Sequence, residues 1–367
     1  MKKRNFLYGV DFSKPPKIDF LKRLTTPTGI MQHAKFGVPE RSWGYALDDN
    51  ARALIFVVEA FKLYRKKEYL DLAVVYLSYL THSKRQDRFF NNFQSFDHKF
   101  KTVISEDAFG ECIWALGVTM AAKPRSDLTL AAGSLYNEVK ENIFKLTSPR
   151  AKAYIIIGLC AILNSSQGGD FEVETLKKLT KDLLVLYKKN QSSGWNWFEK
   201  YLVYANHILP ASLFFAYKHL KDKAILEVAS SSLKFLEEQT NKEGTPCPIG
   251  SFGWFKKGEE KAIYDQQAMD PTYAVLANLA SFSVVRGRKY LTAAKKWFSW
   301  FHGFNIKGIK VYDKNTSGCY DGINEAGVNL NQGAESTICY LLAYVNLARH
   351  IKIGFNKTKL SEKLLAL

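Results

Sequence analysis

An all-α fold, an (α/α)6 barrel of six helical hairpins with long rim loops, is what this 367-residue sequence predicts. Three observations predict it. Six segments open on a polar, often acidic motif and run straight into a mostly apolar helix: Leu47–Arg52, Ser105–Gly110, Thr147–Arg150, Tyr204–His207, Asp265–Asp270 and Asn331–Ser336. Their starts recur at intervals of roughly 40 to 65 residues, about one helix pair each. Within a pair the first helix is apolar nearly all round, as in Ala153–Leu159 or Tyr273–Leu279. The second is amphipathic: Val173–Lys188 puts Leu176, Leu179, Leu183, Leu184 and Tyr187 on one stripe, with lysines mostly opposite. An all-apolar helix is buried and an amphipathic one faces water on one side, so repetition gives an inner ring of parallel helices inside an antiparallel outer ring. An open α-solenoid would leave one face of each first helix less buried, so the uniformly apolar first helices favour closure. Third, the stretches Tyr187–Asn206, Glu238–Gln267 and Phe304–Gln332 are longer than a structural connection needs. All fall on the rim that carries the six motifs, where loops of such length build sites.

In chain order, residues 1–45 read as an irregular N-terminal segment packed on the barrel, with prolines at Pro15, Pro16, Pro27 and Pro39, and 46–367 as one barrel domain. The expected helices are Asp49–Arg65 with Glu68–Ser83, Asp107–Ala122 with Asp127–Leu146, and Pro149–Leu163 with Phe171–Lys189. His207–His219 with Lys221–Thr240 and Pro271–Val285 with Lys289–Phe304 follow. Glu335–Ile351 is the last strong helix, and Lys359–Leu367 would supply the twelfth. Between the first two pairs, Arg88–Ile104 has aromatics without helical period (Phe90, Phe93, Phe96, Phe100), the pattern of a short hairpin or a packed loop.

The apolar fraction of 47% and charged fraction of 24% are those of a soluble globular chain. The net charge of +17 raises the question of an anionic partner, but the lysines are scattered and no basic run is interleaved with aromatics, so nucleic acid is not expected. The five cysteines are far apart, with no metal-ligand spacing, and three lie in apolar helical runs. That fits a reducing, cytoplasmic setting. The longest apolar run, Ala153–Leu163, is short of the roughly 20 residues of a membrane span.

The residues able to do chemistry cluster at the helix starts. Asp48 and Asp49 open the first inner helix; one can serve as a cap or first-turn acid, but two adjacent aspartates need not both do so, and Arg52 is placed to hold a carboxylate. Ser105 is the expected cap of the third helix, with Glu106 and Asp107 in its first turn. Glu111, a turn further in, sits in an otherwise apolar helix and must be paired or functional. Trp195 and Trp197, in Gly194–Glu199, and Tyr45 could stack on sugar faces; loop packing is the plainer reading. Gln267, Asp270, Asn331 and Gln332 set amides beside acids, a combination that suits vicinal hydroxyls. Asp321 lies in a turn-rich stretch, and Glu335 is a first-turn acid. His207 at an inner-helix start could contact a ligand or be a core histidine. No His/Cys metal cluster, nucleophile elbow, phosphate loop or dinucleotide motif is present in the sequence.

The chain resembles a family of carbohydrate-active proteins with the six-hairpin toroid fold. The resemblance rests on Gly29–Ala34, Gly44–Ala53 with its Asp48-Asp49 pair, Ser105–Gly110, Gly194–Glu199, Gly318–Gly322 and Val328–Ser336, and covers about Arg23 to Ile351. The Asp48-Asp49 motif and the last one are the specific ones. The chain departs from the family pattern at Ala205-Asn206-His207, where an aspartate-asparagine pair is more usual, and at Glu111, where arginine is expected. The resemblance implies the fold and a sugar substrate, and a mostly inverting chemistry.

The expected function is therefore a glycoside hydrolase working by carboxylate acid/base catalysis. Asp49 and Asp107 are the expected catalytic pair, with Glu335 and Asp321 next. Tyr45, Trp195 and Trp197 would line sugar subsites, and Asp48, Arg52, Glu106, His207, Gln267, Asp270, Asn331 and Gln332 would bind hydroxyls. The partner is an oligosaccharide; no metal, cofactor, nucleic acid or membrane is expected. The alternatives are a non-catalytic carbohydrate-binding protein, and a sugar transferase or epimerase on the same toroid.

Overall fold

In the computed structural model the chain is described from residue 6 to 364, apart from residue 166, and its side chains from 7 to 351. Five helical hairpins follow one another: α2 (Leu47–Tyr64) with α3 (Lys67–Ser83), α4 (Glu106–Ala122) with α5 (Ser126–Val139), α6 (Pro149–Leu163) with α7 (Asp170–Asn190), α8 (Ile208–Leu220) with α9 (Lys223–Gln239), and α10 (Met269–Val285) with α11 (Arg288–Ser299). A long helix, α12 (Ala334–Leu364), follows. Each even-numbered helix packs on the next even-numbered one, and α12 packs back on α2. The inner ring is thus closed, as its apolar helices require. Burial follows the expected split: α4 is buried along almost its whole length, whereas α7 buries one stripe that includes Leu176, Leu179, Leu183 and Tyr187.

Small residues set the tightest contact in the ring. Gly110 and Gly158 lie where α4 meets α6; an added Cβ would come within 2.7 Å of the Ala151 carbonyl and 2.7 Å of the Ile113 carbonyl. Only glycine permits that approach.

The twelfth position differs from the expectation. Residues 359–364 continue α12 instead of forming a separate outer helix, and 365–367 lie outside the described residues. The helix packed on the outside of α12 is α1 (Asp19–Leu24), from the stretch expected to be irregular. Six residues are too few to show a helical period. They nonetheless bury Phe20, Leu21 and Leu24, and the Tyr344 hydroxyl donates to the carbonyls of Asp11 and Lys14, tying this arm to α12. The second outer helix also ends early: 3-10 turns at Lys140–Lys145 replace its last α-helical turns.

Short strands brace the rim. Tyr45–Ala46 pairs with Phe93–Gln94, which pairs with Phe100–Lys101, so the aromatic stretch is a hairpin. Tyr201–Leu202 pairs with Phe255–Lys256, and Gln266–Gln267 joins Gly322–Ile323 and Val328–Asn329. These pairings fasten loops from different hairpins to one another, so the rim has fixed walls. No helix among the described residues is long and apolar enough to cross a membrane.

Candidate active site

Parallel inner helices bring their first turns to one end of the ring, and the polar side chains there converge on Arg52. Its guanidinium is 2% exposed. Nη1 donates to both Glu111 oxygens, at 3.0 and 3.2 Å. Nη2 meets three further carboxylates: Asp49 Oδ1 at 2.9 Å, Asp48 Oδ2 at 3.1 Å and Glu335 Oε2 at 3.3 Å. One cation therefore gathers four acids from α2, α4 and α12. Capping accounts for only part of this: the N-cap of α2 is Ala46, without a side-chain cap, and of the two aspartates only Asp48 accepts from a first-turn N–H, that of Asp49 at 3.0 Å, while its other oxygen turns to Arg52.

The four acids are not equivalent. Asp49 and Glu111 are buried, at 7% and 2% side-chain exposure, whereas Asp48 and Glu335 are 31% and 38% exposed. Burial, and then the charge of Asp48, push the Asp49 carboxyl up to about 8, against the pull of Arg52. Burial likewise lifts Glu111 to about 8, again opposed by Arg52. Crowding by protein raises Glu335 as well, although water reaches it. Four negative charges around one positive charge would repel one another; protons retained on the buried members relieve this. The Tyr273 hydroxyl donates to Glu111 Oε1 at 3.0 Å. Its ring packs with Trp114 and Tyr154 in an aromatic layer beneath the cluster, with centroids 5.8 to 6.4 Å apart.

A second charged node lies across the ring. Arg150, in the first turn of α6, donates to Glu199 Oε2 at 2.9 Å, the Tyr204 carbonyl at 2.8 Å and Asn206 Oδ1 at 3.3 Å. Asp270, in the first turn of α10, is buried with Oδ2 unpartnered. Burial lifts it to about 7, against Arg150 and the backbone N–H groups of Asn206 and Ala205. Between the nodes, Asp107 accepts from the hydroxyls of Ser148 and Tyr204, the latter at 2.7 Å. It is not bonded to Arg52; its link to that cluster runs through Glu111, one turn along α4.

Several expected contacts take other roles. Glu106 accepts from Thr147 and Ser148 and fastens α4 to the start of α6. Asp321 Oδ1 accepts from the Gly333 N–H and the Ser336 hydroxyl, fixing the start of α12. Gln332 is buried, bonded to Thr316 and Asp313, and the Asn331 side chain accepts from the Phe36 N–H. Gln267 is half-buried at the rim. The stacking residues require correction. Tyr45, Trp195 and Trp197 are buried; both indoles donate to backbone carbonyls, and Trp195 packs edge-on against Phe235 and Phe255. They hold the loops together, and no ring face is left for a sugar. His207 is also a core residue: buried, edge-on to Trp297, without a partner on either ring nitrogen, and held neutral by burial, which lowers it to about 3. Exposed aromatics on the rim include Trp43 (55%), beside His33, Phe252 (83%) and Tyr204.

Sequence reasoning passed over Arg150 and Tyr273. Arg150 did carry a signal, since a cation in a first turn opposes the helix dipole and needs a specific partner. Tyr273 had none, being one more aromatic in an apolar helix. No group of three or more His, Cys, Asp or Glu side chains among the described residues is placed to hold a metal.

No family model matches the chain, and no curated protein does. Solved structures do. A cellobiose 2-epimerase from Bacillus thermoamylovorans is 11% identical over 92% of this chain and 96% of its own, with a TM-score of 0.71. A family 76 α-mannanase from Bacteroides thetaiotaomicron is 11% identical over 91% and 94%, with a TM-score of 0.64. An inactive variant of an α-1,6-mannanase from Salegentibacter, with two adjacent aspartates changed to alanine and α-1,6-mannotetrose bound, is 10% identical over 92% and 99%, with a TM-score of 0.62. The fold of this chain is therefore the one these carbohydrate-active enzymes share, the six-hairpin (α/α)6 toroid.

Proposed function

We propose that this protein is a glycoside hydrolase in which Asp48 and Glu335 are the reacting carboxylates. The observation that carries this is the convergence of Asp48, Asp49 and Glu335 on one nitrogen of Arg52, with unequal access to solvent. Asp48 and Glu335 are the members a substrate can reach. Oxygens held at 3.1 and 3.3 Å from one nitrogen are at most about 6.4 Å apart. Two carboxylates sharing one nitrogen sit close together, which favours the roughly 5–5.5 Å of a retaining pair over the wider spacing that leaves room for a water between the groups. Retention is therefore the better reading than the inversion the resemblance implies.

In the first step Asp48 attacks the anomeric carbon while the glycosidic C–O bond breaks and Glu335 gives its proton to the leaving oxygen. In the second, Glu335 takes a proton from water, whose oxygen attacks the same carbon and frees Asp48. The raised pKa of Glu335 suits the acid/base role. Asp49, behind the pair, retains its own proton and so spares the cluster a third adjacent negative charge. Arg52 and Asp49 are positioning residues; Trp43, Tyr204 and Phe252 offer ring faces to sugars. The inactive mannanase lacks two adjacent aspartates, and Asp48-Asp49 is such a pair at the start of an inner helix.

Sugar epimerisation is the second reading, because the likeness in fold to the cellobiose 2-epimerase is as high as that to the mannanases. The test is Asp48→Asn and Glu335→Gln assayed for oligosaccharide cleavage and, by thermal shift, for binding. Loss of cleavage by at least a hundredfold with binding kept is expected. Cleavage within a factor of two of wild type in both variants would exclude these residues.

A further inference from the structure

We infer that a lysine-lined groove leading from the rim down the outside of the barrel binds the anionic part of a glycan; this rests on the hydrolase reading for the substrate class. The groove encloses about 590 Å³. Its rim end is Thr147 and Pro149, at the start of α6, and its wall is the outer face of α7. Four lysines line it, Lys152, Lys178, Lys181 and Lys189, against one carboxylate, Asp182.

That carboxylate is taken, since Lys152 binds it at 2.7 Å. Lys178 lies over the Phe144 ring at 4.4 Å. Among the described residues no acid pairs with Lys178, Lys181 or Lys189, while the neighbouring Lys177, outside the groove, has Glu174 at 2.7 Å. At 3.6 residues per turn, positions 178, 181 and 189 fall on one face of α7 and span about 16 Å of its length. They form a straight row of uncompensated charge. Like charges so placed repel and destabilise the empty face unless an anion joins them.

The row ends beside the site. Thr147 and Ser148 donate to Glu106, and the Ser148 hydroxyl donates to Asp107. The groove's rim end, Thr147 and Pro149, thus flanks the Ser148 that bonds Asp107, next to the ring for a glycan that leaves it on this side. The matching ligand carries repeated anionic groups (carboxylate, sulfate or phosphate) along a chain that also packs on the exposed Val185. A neutral glycan would leave the lysines unused.

The test is titration calorimetry of the full chain with dextran sulfate, oligogalacturonate and neutral dextran oligosaccharides of equal length. Binding of either acidic probe, falling steeply with salt and absent for neutral dextran, is expected; which one binds identifies the anionic group. Lys178→Gln/Lys181→Gln/Lys189→Gln should weaken it by roughly 3- to 100-fold, three exposed ion pairs being worth a factor of about 1.5 to 5 each. Lys223→Gln/Lys234→Gln/Lys242→Gln, exposed elsewhere, should bind as wild type. Equal weakening in both triple variants, equal binding of neutral dextran, or tighter binding of a DNA oligonucleotide of the same charge would overturn the inference. Asp48→Asn should keep full probe binding, so that failure of the hydrolase reading and failure of the groove are told apart.

Discussion

Replacing Arg52 by methionine tests whether the cluster depends on its cation. Arg52 is 2% exposed and bonds four carboxylates, two of them buried. Methionine fills much of the volume, so packing changes little and the charge is what is lost. Leaving a buried polar group without its partner costs about 1–3 kcal/mol, and here both buried acids, Asp49 and Glu111, lose their arginine bonds, about 2–6 kcal/mol together. The loss should also grow with pH. Without Arg52 the carboxyls of Asp49 and Glu111, already raised to about 8 with the cation present, rise further. The native state then holds protons that the unfolded chain gives up above its ordinary carboxylate pKa of about 4. Stability conferred by a raised pKa is complete below that value and is lost as pH rises toward the folded one. Urea unfolding of wild type and variant at pH 5 and pH 9.5, the second above the wild-type value of about 8, measures this. A destabilisation of about 2–6 kcal/mol, larger at pH 9.5, is expected. A loss under about 1 kcal/mol, in the range of exposed ion pairs, or one equal at both pH values, would refute the reasoning.

Three further outcomes follow from the same geometry. Asp49→Asn removes one carboxyl that holds its proton, so stability between pH 5 and pH 8 should fall less with rising pH than in wild type; a parallel curve in urea unfolding would contradict the assignment. Trp43→Ala should weaken oligosaccharide binding with little change in stability, whereas the buried Trp197→Ala should cost about 3–5 kcal/mol; the two are separated by titration and thermal unfolding. Gly158→Ala pushes a Cβ against the Ile113 carbonyl, at 2.7 Å, and should destabilise by about 1–3 kcal/mol, read as a lower urea midpoint.

The barrel was legible because burial is written in hydrophobic period. Helices such as α6 and α10, apolar on all sides, can only be interior, and α7 displays its single stripe. The outer partner of α12 was not legible, since α1 has just six residues and declares itself only by packing. At the site, acids at helix starts were visible as a surplus beyond capping. What the sequence could not tell is which acids meet. Glu111 reaches Arg52 from a different stave, across 59 residues, and Asp107 turns instead to Ser148 and Tyr204. The loop tryptophans misled for a physical reason: Trp195 and Trp197 donate their indole N–H groups to carbonyls of their own loop four residues on, so an aromatic-rich loop folded on itself. Trp43 and Phe252, with no such partner in the packing, remain at the surface.

Proton NMR of an oligosaccharide incubated with the protein, followed from the first minutes, decides between the possible chemistries in one experiment. Hydrolysis through Asp48 and Glu335 predicts a new reducing end whose first-formed anomer has the configuration of the cleaved bond. First appearance of the opposite anomer would contradict the assigned pair, and a C-2 epimer without any new reducing end would contradict hydrolysis itself.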